Sequence, residues 1–124
     1  MNNTITSGLC CDEPTVTIEW IVRASEFQPR LVVPGPAGGV RHSELSLGGG
    51  VIFVGGAHPE LGRLSPGTLG GTAQSVCVFV EDPDAHFARA SDADYGSRGY
   101  SARDPEGHLW YFDNYRPGVY WDAE

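Results

Sequence analysis

The chain has 124 residues, and none of its apolar runs approaches the roughly 20 residues that a membrane-spanning helix needs. The first residues, MNNTITSGLC, lack a basic region and a long apolar region, so a secretory signal is not expected and a cytoplasmic protein is the default. Basic residues are scarce: eight Lys and Arg stand against sixteen Asp and Glu, for a net charge of −8. Nucleic-acid phosphates would be repelled, so no nucleic-acid or membrane partner is expected. The same charge favours solubility and attracts cationic small molecules. Only three cysteines occur, Cys10 and Cys11 adjacent, which is no disulfide framework. They read as small buried apolar side chains. A Gly-x-Ser-x-Gly elbow, a phosphate-binding Walker loop and a CxxC pair are all absent.

What is present is turn chemistry. Seventeen Gly and nine Pro imply many turns and short elements, which favours strands over a helical bundle. Ile5 to Cys11 reads as a short strand. The stretch DEPTVTIEWIVRASEF reads as a helix opened by Asp12 or Glu13 with Pro14 in its first turn. Val16, Trp20, Ile21 and Phe27 form its apolar stripe. QPRLVVPGP is a strand ended by a turn. GVRHSELSLGGG is a strand in which Val40, Ser43, Leu45 and Leu47 alternate with polar neighbours, and its LGGG is a hairpin. VIFVGG is a buried strand of continuous apolar residues. Next, AHPELGRLSPGTLGGTA has no periodicity and reads as a linker.

After the linker, QSVCVFVED is the clearest strand, with Val76, Val78 and Val80 on one face. DPDAHFARA reads as a helix capped by Asp82 with Pro83 first. The paired carboxylates of Glu81 to Asp84 therefore read as capping rather than acid–base groups. GSRGYSARD and HLWYFDNY are two further strands joined by DPEG, a type I turn signature. The second half repeats the pattern of the first: a strand, an acidic-Pro cap, a helix, then strands.

This repeat, with TIEWIVRASEFQPRLVVPGP, VRHSELSLGGGVIFVGG, VFVEDPDAHFARA and YGSRGYSARDPEGHLWYF, resembles the vicinal oxygen chelate superfamily. That superfamily is also called the glyoxalase/bleomycin-resistance/dioxygenase fold. The resemblance implies an α+β fold of two βαβββ modules whose strands curl around a cavity. A single domain over 1–124 is expected, with module one about 4–56, a linker 57–72, module two about 73–115 and a tail 116–124. Between HFARA and YGSRGYS only SDAD remains, so the second module should be shortened, with one strand missing or reduced to a stub. An open edge would follow, and a partner copy covering it implies a homodimer, with or without exchange of modules between chains.

Enzymes of this superfamily hold a divalent metal on His, Glu or Gln from the first and last strand of each module. Here those positions fall near Ile5 or Thr6, near Ser75 (with Gln74 one residue off), in VIFVGG, and at Tyr111 where the family places glutamate. No metal and no cofactor is expected from such side chains. The histidines His42, His58, His86 and His108 show no ligand spacing. His108 should hydrogen-bond locally, and His86 should face solvent. His42 and Glu44 share a strand face and are the best polar anchor for a cavity.

On the last strand Leu109, Tyr111 and Asp113 should point one way and Trp110 and Phe112 the other, and the resemblance implies that the second pair packs under the helices as core. The resemblance turns Tyr111 to the cavity, and with it Ser75, Cys77 and Phe79 of the fifth strand. The tail adds Tyr115, Tyr120 and Trp121, as stacking rings or as a seal over a core or dimer interface. The expected ligand-binding set is Tyr111, Phe79, His42, Glu44, Cys77, Leu109, Asp113, Tyr115 and Trp121. The implied function is non-catalytic sequestration of a planar ligand, cationic ones included, such as an aromatic antibiotic. This is similar to the bleomycin-resistance branch. The alternatives are a glyoxalase- or dioxygenase-type enzyme using His42, Glu44 and a partner residue, and a purely structural or regulatory dimer.

Overall fold

A computed structural model describes residues 5–90, 94–95, 99–115, 117–118 and 121. The chain runs β1 (Ser7–Cys11), α1 (Pro14–Ser25), β2 (Gln28–Pro34), β3 (Val40–Leu47), β4 (Gly50–Gly56), α2 (Pro66–Leu69), β5 (Ser75–Phe79), α3 (Pro83–Ala90), β6 (Asp94–Tyr95), β7 (Gly99–Arg103) and β8 (Leu109–Asp113). Two four-stranded sheets result, ordered β1-β4-β3-β2 and β5-β8-β7-β6. In each, the first and last strands pair in parallel and the others antiparallel. The expected βαβββ order is thus present twice. No helix among the described residues is long and apolar enough to cross a membrane.

Pro14 opens α1, where its missing N–H costs nothing, but no side chain of the helix's own cap bonds to it. The buried stripe of α1 is Thr17, Ile18, Trp20, Ile21 and Ala24. Val16, expected in that stripe, is instead 42% exposed, because the 3.6-residue period puts 17, 18, 21 and 24 on one side. The helix stops at Glu26, which has φ of 61° and donates its N–H to the Val22 carbonyl. Phe27 then drops back into the core.

In β3, Ser43 and Leu45 point inward, and the Ser43 hydroxyl donates to the Val54 carbonyl at 2.6 Å. Gly48 and Gly49 make the β3–β4 turn, Gly48 with φ of 56°. The expected linker has local structure: a 3-10 turn at Pro59–Leu61, then α2 capped by Ser65, whose hydroxyl accepts the Thr68 N–H at 3.2 Å. Ser65 also donates to an Asp12 carboxylate oxygen at 2.8 Å, tying this segment to the start of α1.

Both helices cover one side of the sheets, and the core lies between. Trp110 and Phe112 are fully buried, as the resemblance implied. Trp20 and Phe27 bring their rings to 5.8 and 6.0 Å from that of Trp110, so α1 packs directly on the second sheet. Such aromatic pairs add to the large area each ring buries. His86 does not face solvent. It is 6% exposed, contacts the Tyr100 hydroxyl, and lies 4.3 Å from the Phe112 ring. It sits where α3 packs on β7 and β8, and the ring serves there as a core aromatic.

Strand β6 is a stub of two residues, pairing Asp94 with Ser101 and Tyr95 with Tyr100. Its counterpart β2 has seven residues. The second sheet is therefore the shortened one.

Candidate functional site

Cross-strand partners share a sheet face, so the registers show what lies opposite the helices. In the second sheet Cys77 pairs with Tyr111 and Tyr111 with Ser101, while Phe79 pairs with Asp113 and Ser75 with Leu109. All of these sit on the helix-free face. Leu109, Tyr111 and Asp113 alternate with buried Trp110 and Phe112. Tyr111 is 41% exposed, so a large ring stands open beside the exposed thiol of Cys77.

In the first sheet Glu44 pairs with Phe53, and Val33 with His42. His42 Nε2 lies 3.0 Å from a Glu44 carboxylate oxygen, and its ring meets Phe53 edge-on at 4.9 Å. This trio lies on the helix-free face, His42 and Glu44 half-buried and Phe53 exposed. Gly55 makes room for it. A Cβ there would stand 2.7 Å from the Arg41 carbonyl oxygen, so only glycine lets β4 approach the backbone beside His42.

Cys11 turns into the core and Cys10 to the opposite face, which settles the register of β1. Burial pushes the Cys11 thiol up to about 12, so it is inert, as expected of a buried small side chain. Cys77 is exposed and Cys10 half-buried, against the expectation that all three would be buried. The reason is the pleat: 77 falls on the helix-free side of an edge strand.

A cleft of about 1000 Å³ opens between the end of α1, the β3–β4 turn and the whole of β5. Its apolar lining includes Phe27, Ile52, Val78 and Phe79, and its carboxylates are Glu26, Glu81 and Asp82. Because β5 pairs only with β8, it is an edge strand, and side chains from both its faces reach the cleft.

The turn between β7 and β8 holds the two halves together. Asp104, 4% exposed, accepts from the backbone N–H groups of Glu106 and His108 (both 3.0 Å), from His108 Nδ1 at 2.9 Å and from Trp110 Nε1 at 3.0 Å. His108 Nε2 reaches the carbonyl of Cys10, 98 positions away in sequence, at 2.8 Å. Both ring nitrogens face acceptors, an arrangement that favours the imidazolium form, in which both donate. Burial opposes that charge. The Asp104 carboxylate, the Cys10 carbonyl and the Glu106 carboxylate outweigh it and raise the His108 pKa above its ordinary value. Glu106 accepts the backbone N–H groups of Asp12 (2.9 Å) and Glu13 (2.8 Å), which supplies from afar the cap that α1 lacks. His108 was expected to bond locally. It does so with Asp104, and it also reaches β1.

The described side chains of one chain do not by themselves make a divalent-metal site. Among the described residues no three His, Cys, Asp or Glu groups converge to hold one. Ser75 and Tyr111 stand where the resemblance put the second module's ligands, and Phe53 stands beside the His42–Glu44 pair.

Of the nine expected binding residues, Cys77 and Phe79 line the cleft, and Leu109, Tyr111 and Asp113 share their sheet face. His42 and Glu44 lie on the helix-free face of the other sheet. Tyr115 and Trp121 are exposed, Trp121 stacked near Gly118. Tyr120 lies outside the described residues. Phe53 was missed, because a run of apolar residues hides which side chain points out. Glu26 and Glu81 were missed as site groups, because only the fold brings a helix end to the end of β5.

No family model matches the chain. A Mycobacterium bovis protein, Mb0911c, is 30% identical over 116 residues, covering 82% of this chain and 76% of that one. TioX from Micromonospora sp. ML1 is 32% identical with a TM-score of 0.69, covering 90% of this chain and 97% of that one. The bleomycin-binding protein of Streptomyces verticillus, solved with copper(II)-bleomycin, has the same fold at 15% identity and a TM-score of 0.62, covering 94% and 100%. So has an enzyme-named neighbour, the lactoylglutathione lyase of Agrobacterium tumefaciens, at 13% identity and a TM-score of 0.64, covering 91% and 93%. The fold therefore serves both binding proteins and enzymes. The doubled βαβββ order and this similarity place the chain plainly: it belongs to the glyoxalase/bleomycin-resistance, or vicinal oxygen chelate, superfamily.

Proposed function

We propose that this protein binds a planar aromatic small molecule and holds it unaltered, in the manner of a self-resistance protein that sequesters an antibiotic. The observation that carries the reading is Tyr111. An exposed ring stands with Cys77 opposite and Phe79 and Asp113 beside it on the same face, at the position where the resemblance puts a carboxylate in metal-dependent members. Rings stack on planar ligands and leave their bonds alone. The likeness to a bleomycin-binding protein supports the general kind. In this reading a second copy of the chain closes the open face, and the protein acts in the cytoplasm.

Tryptophan fluorescence, on dialysed and metal-assayed protein, tests it against bleomycin, mitomycin and quinoline- or quinoxaline-bearing peptides. Saturable quenching with full recovery of intact ligand is expected. Tyr111→Ala should weaken binding roughly tenfold, equivalent to about 1.4 kcal/mol of stacking. Chemical turnover of the ligand, or an affinity indifferent to Tyr111, overturns the reading. Sedimentation at the same concentrations should give a dimer.

The His42–Glu44 pair supports a second reading, a metal-dependent enzyme completed by a residue of a partner copy. Stoichiometric divalent metal in untagged protein, with activity that rises on adding the ion, would establish it instead.

A further inference from the structure

We infer that the cleft along β5 selects ligands that carry a positive charge, so that a planar aromatic cation is the class of molecule this protein takes. The inference rests on the sequestering reading and locates the charge recognition at a separate place. The cleft has the volume of a drug-sized site, about 1000 Å³. Its apolar walls, Phe27, Ile52, Val78 and Phe79, would cover a hydrocarbon framework. Its carboxylates come from two directions: Glu26 from the end of α1, and Glu81 with Asp82 from the end of β5. Among the described residues no Lys or Arg lines it, and His86 is the one basic side chain that does. Low-dielectric walls around charges of one sign concentrate their field, and the net charge of −8 adds to it. A neutral or anionic guest gains nothing from this wall, whereas a cation is complementary to it.

The cleft is also continuous with the open ring. Cys77 and Phe79 line it, and they pair across β5 and β8 with Tyr111 and Asp113. A ligand stacked on Tyr111 can therefore extend a charged group round the free edge of β5.

Fluorescence polarisation with two planar tricycles tests the inference: proflavine, a cation at pH 7, and acridone, which is neutral. The wild type should bind proflavine about tenfold more tightly. The double variant Glu26→Gln/Glu81→Gln should lose about that factor for proflavine and stay within about twofold for acridone. Raising the salt to about 0.5 M should narrow the gap in the wild type. Equal binding of the two dyes, no saturable binding of proflavine, or a double variant that keeps the preference overturns the inference. The single variant Glu81→Gln, with an unchanged unfolding midpoint, guards against a folding defect. Tyr111→Ala separates the two readings. If it leaves both dyes unaffected while the charge preference persists, the stacking face is wrong and the acidic cleft stands. If it weakens both and the preference is absent, the stacking face stands and the cleft reading falls.

Discussion

Replacing His108 should destabilise the fold more than any exposed substitution, and the loss should depend on pH in a fixed direction. His108→Ala removes two hydrogen bonds, one to the Asp104 carboxylate at 2.9 Å and one to the Cys10 carbonyl at 2.8 Å. Each involves a charged partner and is worth about 1.5–3 kcal/mol. The change also leaves a buried carboxylate without its cation, for which single-partner removal typically costs about 3–5 kcal/mol. These ranges describe one event and do not add. Asp104 keeps the Trp110 indole and two backbone N–H groups, which argues for the lower end. We expect a loss of about 3 kcal/mol, a large part of the 5–15 kcal/mol typical of a domain.

The imidazolium fixes the sign with pH. The folded pKa of His108 lies above its ordinary value. Its contribution is therefore fully present below the ordinary histidine pKa of about 6.5 and is lost as pH rises through the raised, folded value. Urea unfolding of the wild type and of His108→Gln, from pH 5 to 9, measures this. Glutamine keeps one donor and cannot titrate. The difference in stability should be largest at the acidic end and shrink toward pH 9. A difference that is flat with pH, or that grows as pH rises, refutes the charged ring.

Three further outcomes follow from the same geometry. Ellman's reagent should modify Cys77 first and Cys10 more slowly. Cys11, buried with its thiol pushed up to about 12, should react only on unfolding, and a single-site Cys77→Ser variant should lose the fast phase. Glu106→Ala removes the carboxylate that accepts the N–H groups of Asp12 and Glu13, and should cost about 1–2 kcal/mol in urea unfolding. A loss under about 0.3 kcal/mol would mean that solvent caps α1 as well as Glu106 does. Ligand protection should appear at Cys77: saturating proflavine should slow its labelling, and equal rates with and without the dye would place the guest elsewhere.

What could be read from the chain was what local chemistry determines. Pro after an acidic residue opened both long helices, the DPEG turn joined the last two strands, and strand pleating divided LWYFD into two faces, of which the resemblance named the open one. The two-residue stub at Asp94–Tyr95 was legible too, because too few residues separate α3 from β7 for a full strand. The long-range contacts were not legible. In sequence, Glu106 is a turn residue, and nothing local says that its carboxylate caps a helix 93 positions earlier. His86 looked like a polar position on a short helix, yet the fold uses its ring as an aromatic against Phe112. Phe53 was hidden for the opposite reason, since a strand apolar at every position carries no alternation to say which side is open. The same limit explains the site. The stacking ring belongs to one strand, and its place there was given by the resemblance. The acidic cleft is assembled from the end of α1 and the end of β5, about fifty residues apart, and exists only once both sheets have packed on one core. Charge composition left a trace of it: the chain has twice as many acids as bases, and among the described residues three carboxylates line the apolar cleft, whose low-dielectric walls strengthen their field.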